Sequence, residues 1–299
     1  MNKKELPKRM FHSAEDAAVA EKLMPDTPQT LSPSYRLAYT DRDFLLRDEL
    51  RPVRLQLELL KPELLQKDLG IRSTVVIFGS TRIPDKKTAT KHLRKAEAEA
   101  AAKPSDSALA RKVEIARRIL DKVRYYVEAQ ELGRLITAES QRGDRCEMVV
   151  VTGGGPGIME AANRGAYEAG GKSIGLNIVI PGEQCPNVYI TPELSFQFHY
   201  FAIRKMHFLM RAKALVAFPG GFGTLDELFE TLTLIQTKKI KPVPVLLFGR
   251  EYWQRIINFE ALVDEGAIDP QDIELFQYVE TAKQAWEIIQ TFQASDSHR

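Results

Sequence analysis

The chain has 299 residues, with 42 Lys plus Arg against 40 Asp plus Glu, a formal charge of +2 and 44% hydrophobic residues. That is an ordinary globular composition for one large domain or two, and so even a charge balance sets up no strong field for a polyanion, so nucleic acid is not an expected partner. The two cysteines, Cys146 and Cys185, are too few for a disulfide framework or a four-thiolate zinc site; no apolar run approaches the ~18 residues of a membrane span and the opening residues lack a secretory apolar stretch, so a cytoplasmic protein with no membrane partner is expected.

In chain order, residues 1–70 read as an arm and a helical extension. Pro25, Pro28 and Pro33 stand in an aperiodic stretch that reads as a loose arm. Beyond it Leu45, Leu46, Leu50, Val53, Leu57, Leu60, Leu64 and Leu65 recur at three- and four-residue steps. This predicts amphipathic helices interrupted near Pro52 and Pro62, serving as a structural brace.

Residues 71–299 change pattern and are expected to form one nucleotide-binding catalytic domain. Short β-branched runs, Thr74–Phe78, Met148–Thr152, Ser173–Ile180, Ala214–Phe218 and Val243–Phe248, alternate with helical stretches over 108–139, 157–169, 201–213, 224–238 and 252–265. Unbroken apolar strands are buried on both faces, and alternation with helices gives a parallel sheet. The fold class is therefore α/β, a Rossmann-like doubly wound parallel sheet with an N-terminal helical extension. The charged segment 86–103 reads as an added helix with a solvated face.

In such a sheet the ligand crevice lies beyond the carboxyl ends of the strands. The first strand ends in Gly79-Ser80-Thr81-Arg82, the second in Gly153-Gly154-Gly155-Pro156-Gly157-Ile158-Met159-Glu160, and a later one in Pro219-Gly220-Gly221-Phe222-Gly223-Thr224. Glycines there let backbone N–H groups approach an anion while the next helix presents its free N–H groups, so phosphate is the natural ligand; tight turns are the plain alternative. The second loop has Ile158 where the dinucleotide fingerprint needs its last glycine, and no Gly-Lys-Ser/Thr ending supports a nucleoside triphosphatase.

The segment Pro219-Gly-Gly-Phe-Gly-Thr-Leu-Asp-Glu227 matches the PGGxGTxxE signature of the lonely-guy (LOG) family of nucleoside 5′-monophosphate phosphoribohydrolases. Arg204-Lys205 stands where that family has an Arg-Lys pair, and Gly153 to Met159 resembles its GGGxxGxM loop; order and spacing agree across residues 74–250. The arm before residue 70 and the insertion after Pro84 depart from the compact members. Members were long labelled lysine decarboxylases, yet nothing in this sequence points to a Schiff-base lysine and its partners.

The resemblance implies a hydrolase that cleaves the N-glycosidic bond of AMP or a cytokinin riboside 5′-monophosphate without metal or cofactor, working as a homodimer or larger homo-oligomer. It implies Arg204 and Glu227 as catalytic groups, with Pro219, Gly220, Gly221, Gly223 and Thr224 around the 5′-phosphate. Gly79, Ser80, Gly153, Gly154, Gly155, Gly157, Met159 and Lys205 are expected around the substrate. Glu160 would bond ribose hydroxyls or serve its helix dipole, and Glu230 would tune Glu227 from one turn away or face solvent. His199 and His207 read as packing or interface residues rather than metal ligands. The alternative function is a non-catalytic carrier of a nucleotide or of a pterin-type molybdenum cofactor.

Overall fold

A computed structural model describes residues 13–142, 145–180 and 185–296. The chain divides into two compact units, one ending at Glu58 and the other starting at Leu59.

In the first unit the stretch expected to be a loose arm contains helix α1 (Ala14–Glu21), which begins in a capping box between Ser13 and Asp16. The backbone N–H of Leu37 donates to the Glu21 carboxylate at 2.8 Å, which ties the following loop back to α1. A short α2 (Arg42–Leu45) is capped by Asp41. The helices are interrupted before Pro52 as expected, α2 ending at Leu45 and α3 beginning at Arg51, but the break expected near Pro62 does not occur: α3 runs unbroken over Arg51–Asp68. Pro52 occupies the first turn, where a missing N–H costs nothing, and Pro62 is carried inside the helix as one of its buried residues.

The second unit holds the sheet. Strand β1 (Thr74–Phe78) leads to α4 (Lys86–Ala102) and α5 (Ser107–Asp121), both capped by aspartates, Asp85 and Asp106. The helix expected over 108–139 is divided at Lys122, beyond which α6 spans Val123–Ser140. A small antiparallel ribbon, β2 (Gln141–Arg142) with β3 (Arg145–Cys146), precedes β4 (Val149–Thr152) and α7 (Ile158–Glu168). Then come β5 (Ser173–Ile178), β6 (Ser195–Phe198), α8 (Phe201–Met210), β7 (Ala212–Ala217), α9 (Phe222–Gln236) and β8 (Val245–Phe248). The chain closes with α10 (Arg250–Ile256), α11 (Phe259–Asp264), β9 (Gln277–Val279) and α12 (Ala282–Asp296).

Among the described residues the main sheet has seven parallel strands in the order β6-β5-β4-β1-β7-β8-β9. It is the expected doubly wound α/β sheet, widened at each edge by a strand, β6 and β9, absent from the sequence reading. Alternation along β1 sends Val75 and Ile77 into one core layer with residues of α6, α7 and α12. Val76 and Phe78 enter the other layer with residues of α8, α9 and α10. From β1 the chain builds outward through β4, then returns to β1's other side with β7. The three glycine loops therefore leave β1, β4 and β7 at the point where the strand order reverses, the place where doubly wound sheets open a crevice.

Candidate active site

The loops are joined backbone to backbone. Ser80 N–H donates to the Pro219 carbonyl at 2.9 Å, and Ile158 N–H donates to the Ser80 carbonyl at 3.1 Å, so the β1 loop holds both of the others. Gly157, at φ 73° and with the Ser80 and Thr81 carbonyls where a Cβ would stand, leaves no room for a side chain. At Gly220 the obstacle is the Thr224 side chain, which packs directly on the glycine.

Together the loops enclose a cavity of about 750 Å3, within the range of small-molecule sites. Gly79, Ser80, Gly153 and Met159 line it from the β1 and β4 loops; Pro219, Gly220, Gly221, Gly223 and Thr224 line it from the β7 loop. Unlike α4 and α5, α9 has no side-chain cap at its start. Its first-turn N–H groups, beside the nearly buried Thr224 hydroxyl, open into the cavity with the positive end of the helix dipole.

Glu227 and Arg204 complete the floor. Glu227 is 6% exposed, and burial pushes its carboxyl up to about 7 against the pull of Arg204 and Lys205, with Glu230 and Asp226 adding to the rise. Arg204 Nε donates to the Leu176 carbonyl at 2.7 Å, and its guanidinium lies 5.0 Å from the centre of the Phe208 ring. Burial lowers the proton affinity of Arg204, and Glu227 offsets that only in part.

Several expected substrate contacts lie elsewhere. Lys205 turns from the cavity to α9, with Nζ 2.9 Å from Asp226 and 3.2 Å from Glu230. Those two bonds outweigh its burial and hold the ammonium above its ordinary pKa. Lys205 and Glu230 therefore brace the helix that carries Glu227. Glu160 accepts from the Tyr126 hydroxyl at 3.2 Å and is absent from the lining. Gly154 and Gly155 give their carbonyls to the buried Asn187 amide at 3.2 and 3.1 Å. The same amide donates to Asn163 at 3.0 Å, and the Thr152 hydroxyl donates to Asn163 at 2.7 Å while accepting from Gly154 N–H at 3.0 Å. His207 is buried against Phe198, and His199 packs on Tyr200.

The cavity also has walls that the sequence reading missed. Asn177 and Tyr252 line it, and the Tyr252 hydroxyl donates to the Gly220 carbonyl at 2.5 Å, supporting the β7 loop from behind. Ile115, Ile119 and Lys122 line it from α5 and its end, so the insertion after Pro84 forms part of the site.

A family model described as "Possible lysine decarboxylase" matches residues 159–289. The chain is 32% identical over 155 residues to the Arabidopsis thaliana cytokinin riboside 5′-monophosphate phosphoribohydrolase LOG1, a match covering 50% of this chain and 68% of that one. The chain belongs to the LOG family. LOGL5 of Oryza sativa subsp. japonica, named a probable cytokinin riboside 5′-monophosphate phosphoribohydrolase, is 30% identical over 152 residues, half of this chain. The chain spans less than two thirds of some of these LOG relatives, 58% of LOGL5 and 63% of LOG5. Among solved structures, the molybdenum cofactor carrier protein of Chlamydomonas reinhardtii aligns at a TM-score of 0.42 and 19% identity, over 75% of this chain and 99% of that one. The LOG match encloses Arg204, the β7 loop and Glu227, but α4 and α5 lie outside the span of the family model.

Proposed function

We propose that the chain hydrolyses a purine-type nucleoside 5′-monophosphate, AMP or a cytokinin riboside 5′-monophosphate, to free base and ribose 5-phosphate. The observation that carries this reading is the burial of Glu227, beside Arg204, one turn into a helix whose uncapped start lines the same cavity. The 5′-phosphate sits on the N–H groups of Gly221 to Thr224 and the Thr224 hydroxyl. The sugar then lies over Glu227. As the C1′–N bond breaks, its electron pair leaves with the base and positive charge grows on the ribose. The Glu227 carboxylate stabilises that charge and takes a proton from the water whose oxygen bonds to C1′, and that proton passes on to the base nitrogen that left with the electron pair, which returns Glu227 to its ionised form. Arg204, fixed by Leu176 and Phe208, orients the carboxylate and contacts substrate.

Decarboxylation through pyridoxal requires a Schiff-base lysine in the cavity. Among the described residues the lysine lining the cavity is Lys122, which lies at the end of the insertion, outside the family-matched segment, and Lys205 is engaged by two acids.

The test is base release from AMP, other monophosphates and a cytokinin riboside monophosphate. Purified protein is expected to liberate base and ribose 5-phosphate from at least one, and Glu227→Gln to cut turnover by about 10²- to 10⁴-fold while still binding substrate. Tight binding with no base release from any of them would leave the carrier reading in its place.

A further inference from the structure

Beside the active-site cavity lies a second, of about 560 Å3, and Lys122 and Tyr252 line both. Arg118 of α5 and Arg255 of α10 converge on it with Lys122. The fourth cation there, Arg124, is engaged: it donates to the Tyr125 hydroxyl at 2.7 Å and stands 3.9 Å from Glu280. No ion pair ties Arg118, Lys122 or Arg255 to an acid among the described residues, whereas Arg117, Arg134, Arg164 and Arg211 each hold one. Burial, then repulsion from Arg118 and Arg255, lowers the proton affinity of Lys122, and Asp121 and Glu251 offset it only through space. The group borders the phosphate loop. Lys122 Nζ lies 5.9 Å from the centre of the Tyr252 ring, and the Tyr252 hydroxyl is bonded to the Gly220 carbonyl.

Asp121 and Glu251 line the same cavity but make no ion-pair contact with the three cations, so positive charge is in excess there and an anion is the ligand it suits. We propose that Arg118, Lys122 and Arg255 form a second phosphoryl subsite beside the α9 phosphate loop, filled by the distal phosphate of a nucleoside diphosphate or by a free pyrophosphate. The inference rests on the reading of the loop as the seat of a 5′-phosphate. Two of the three cations come from the insertion and its end, so the subsite is a property of this chain's added helix.

Calorimetry on the full chain carrying Glu227→Gln, which removes turnover, tests it with AMP, ADP and pyrophosphate. ADP is expected to bind on the order of tenfold tighter than AMP, and Arg118→Ala with Arg255→Ala to abolish that margin while AMP affinity stays within about twofold. Both side chains are exposed, so the fold tolerates their loss. Pyrophosphate that binds alongside AMP, and no longer does so in the double variant, assigns the subsite to a free anion. An ADP margin without such co-binding assigns it to the nucleotide's own second phosphate. Equal ADP and AMP affinities with no pyrophosphate beside AMP overturn the proposal, as does any margin that survives the double variant. Failure of base release from AMP in the unsubstituted chain is a separate result: it removes the hydrolase reading and leaves the ADP-to-AMP comparison standing.

Discussion

Burial disfavours the charged form of Glu227. Its folded pKa, about 7, lies above the ordinary 4.5, so the fold favours the protonated form. The stabilisation this gives is whole below about pH 4.5 and is lost as pH rises through about 7. Glu227→Gln should therefore unfold at higher urea concentration than the parent at pH 8, by up to about 3 kcal/mol, with no difference at pH 4. The proposed chemistry needs the ionised form, so kcat/KM should climb as pH passes about 7. Because Glu230 adds to the rise in Glu227, Glu230→Gln should move that limb to lower pH; a limb that stays in place would mean that another group titrates. Arg204 and Glu227 were legible in the sequence because their signature surrounds them. Asn177, Asn187 and Tyr252 were not, since an isolated polar residue shows no periodicity and reaches the site only through the folding of distant segments.

At the scale of elements, the β4 loop owes its shape to a buried amide network rather than to its glycines alone. Asn187→Leu would leave the Gly154 and Gly155 carbonyls and Asn163 without that partner, a loss of about 2 kcal/mol in denaturant melts. The KM for a monophosphate should rise with it, because Gly153 and Met159 line the cavity on the same loop; an unchanged KM would separate loop shape from substrate binding. The five central strands could be read from sequence because each is rich in apolar residues and largely buried, with β5 and β7 half-exposed at one end. The edge strands β6 and β9 could not: β6 alternates buried with exposed residues over four positions and β9 has three residues, too little pattern to separate from a loop. Pro62 misled in the other direction, as a local breaking signal overridden inside a continuous helix. The charge pattern of 86–103 showed a solvated helix, but nothing in it revealed that the following helix turns Ile115 and Ile119 toward the phosphate loop.

Across the whole molecule, we propose that the homo-oligomer implied by the family resemblance forms through an exposed apolar patch on α9. Phe222, 93% exposed, stands at the cavity rim and beside Leu225 and Phe229 on α9. Light scattering is expected to return at least twice the chain mass, and Phe222→Ser to lower it; a parent protein that scatters as a monomer would refute this. No described helix is long and apolar enough to cross a membrane.

The α4–α5 pair packs helix against helix, with Glu99 and Glu97 reaching across to Lys112 and Arg117. Arg204 and Glu227, the groups proposed to act on the substrate, sit in the opening turns of α8 and α9 beside the sheet's loops, while part of the enclosing wall comes from this self-contained attachment. On the proposed function, ligand preference and chemistry would thereby be separable: exchanging the hairpin for another is expected to change what enters without altering Arg204 or Glu227.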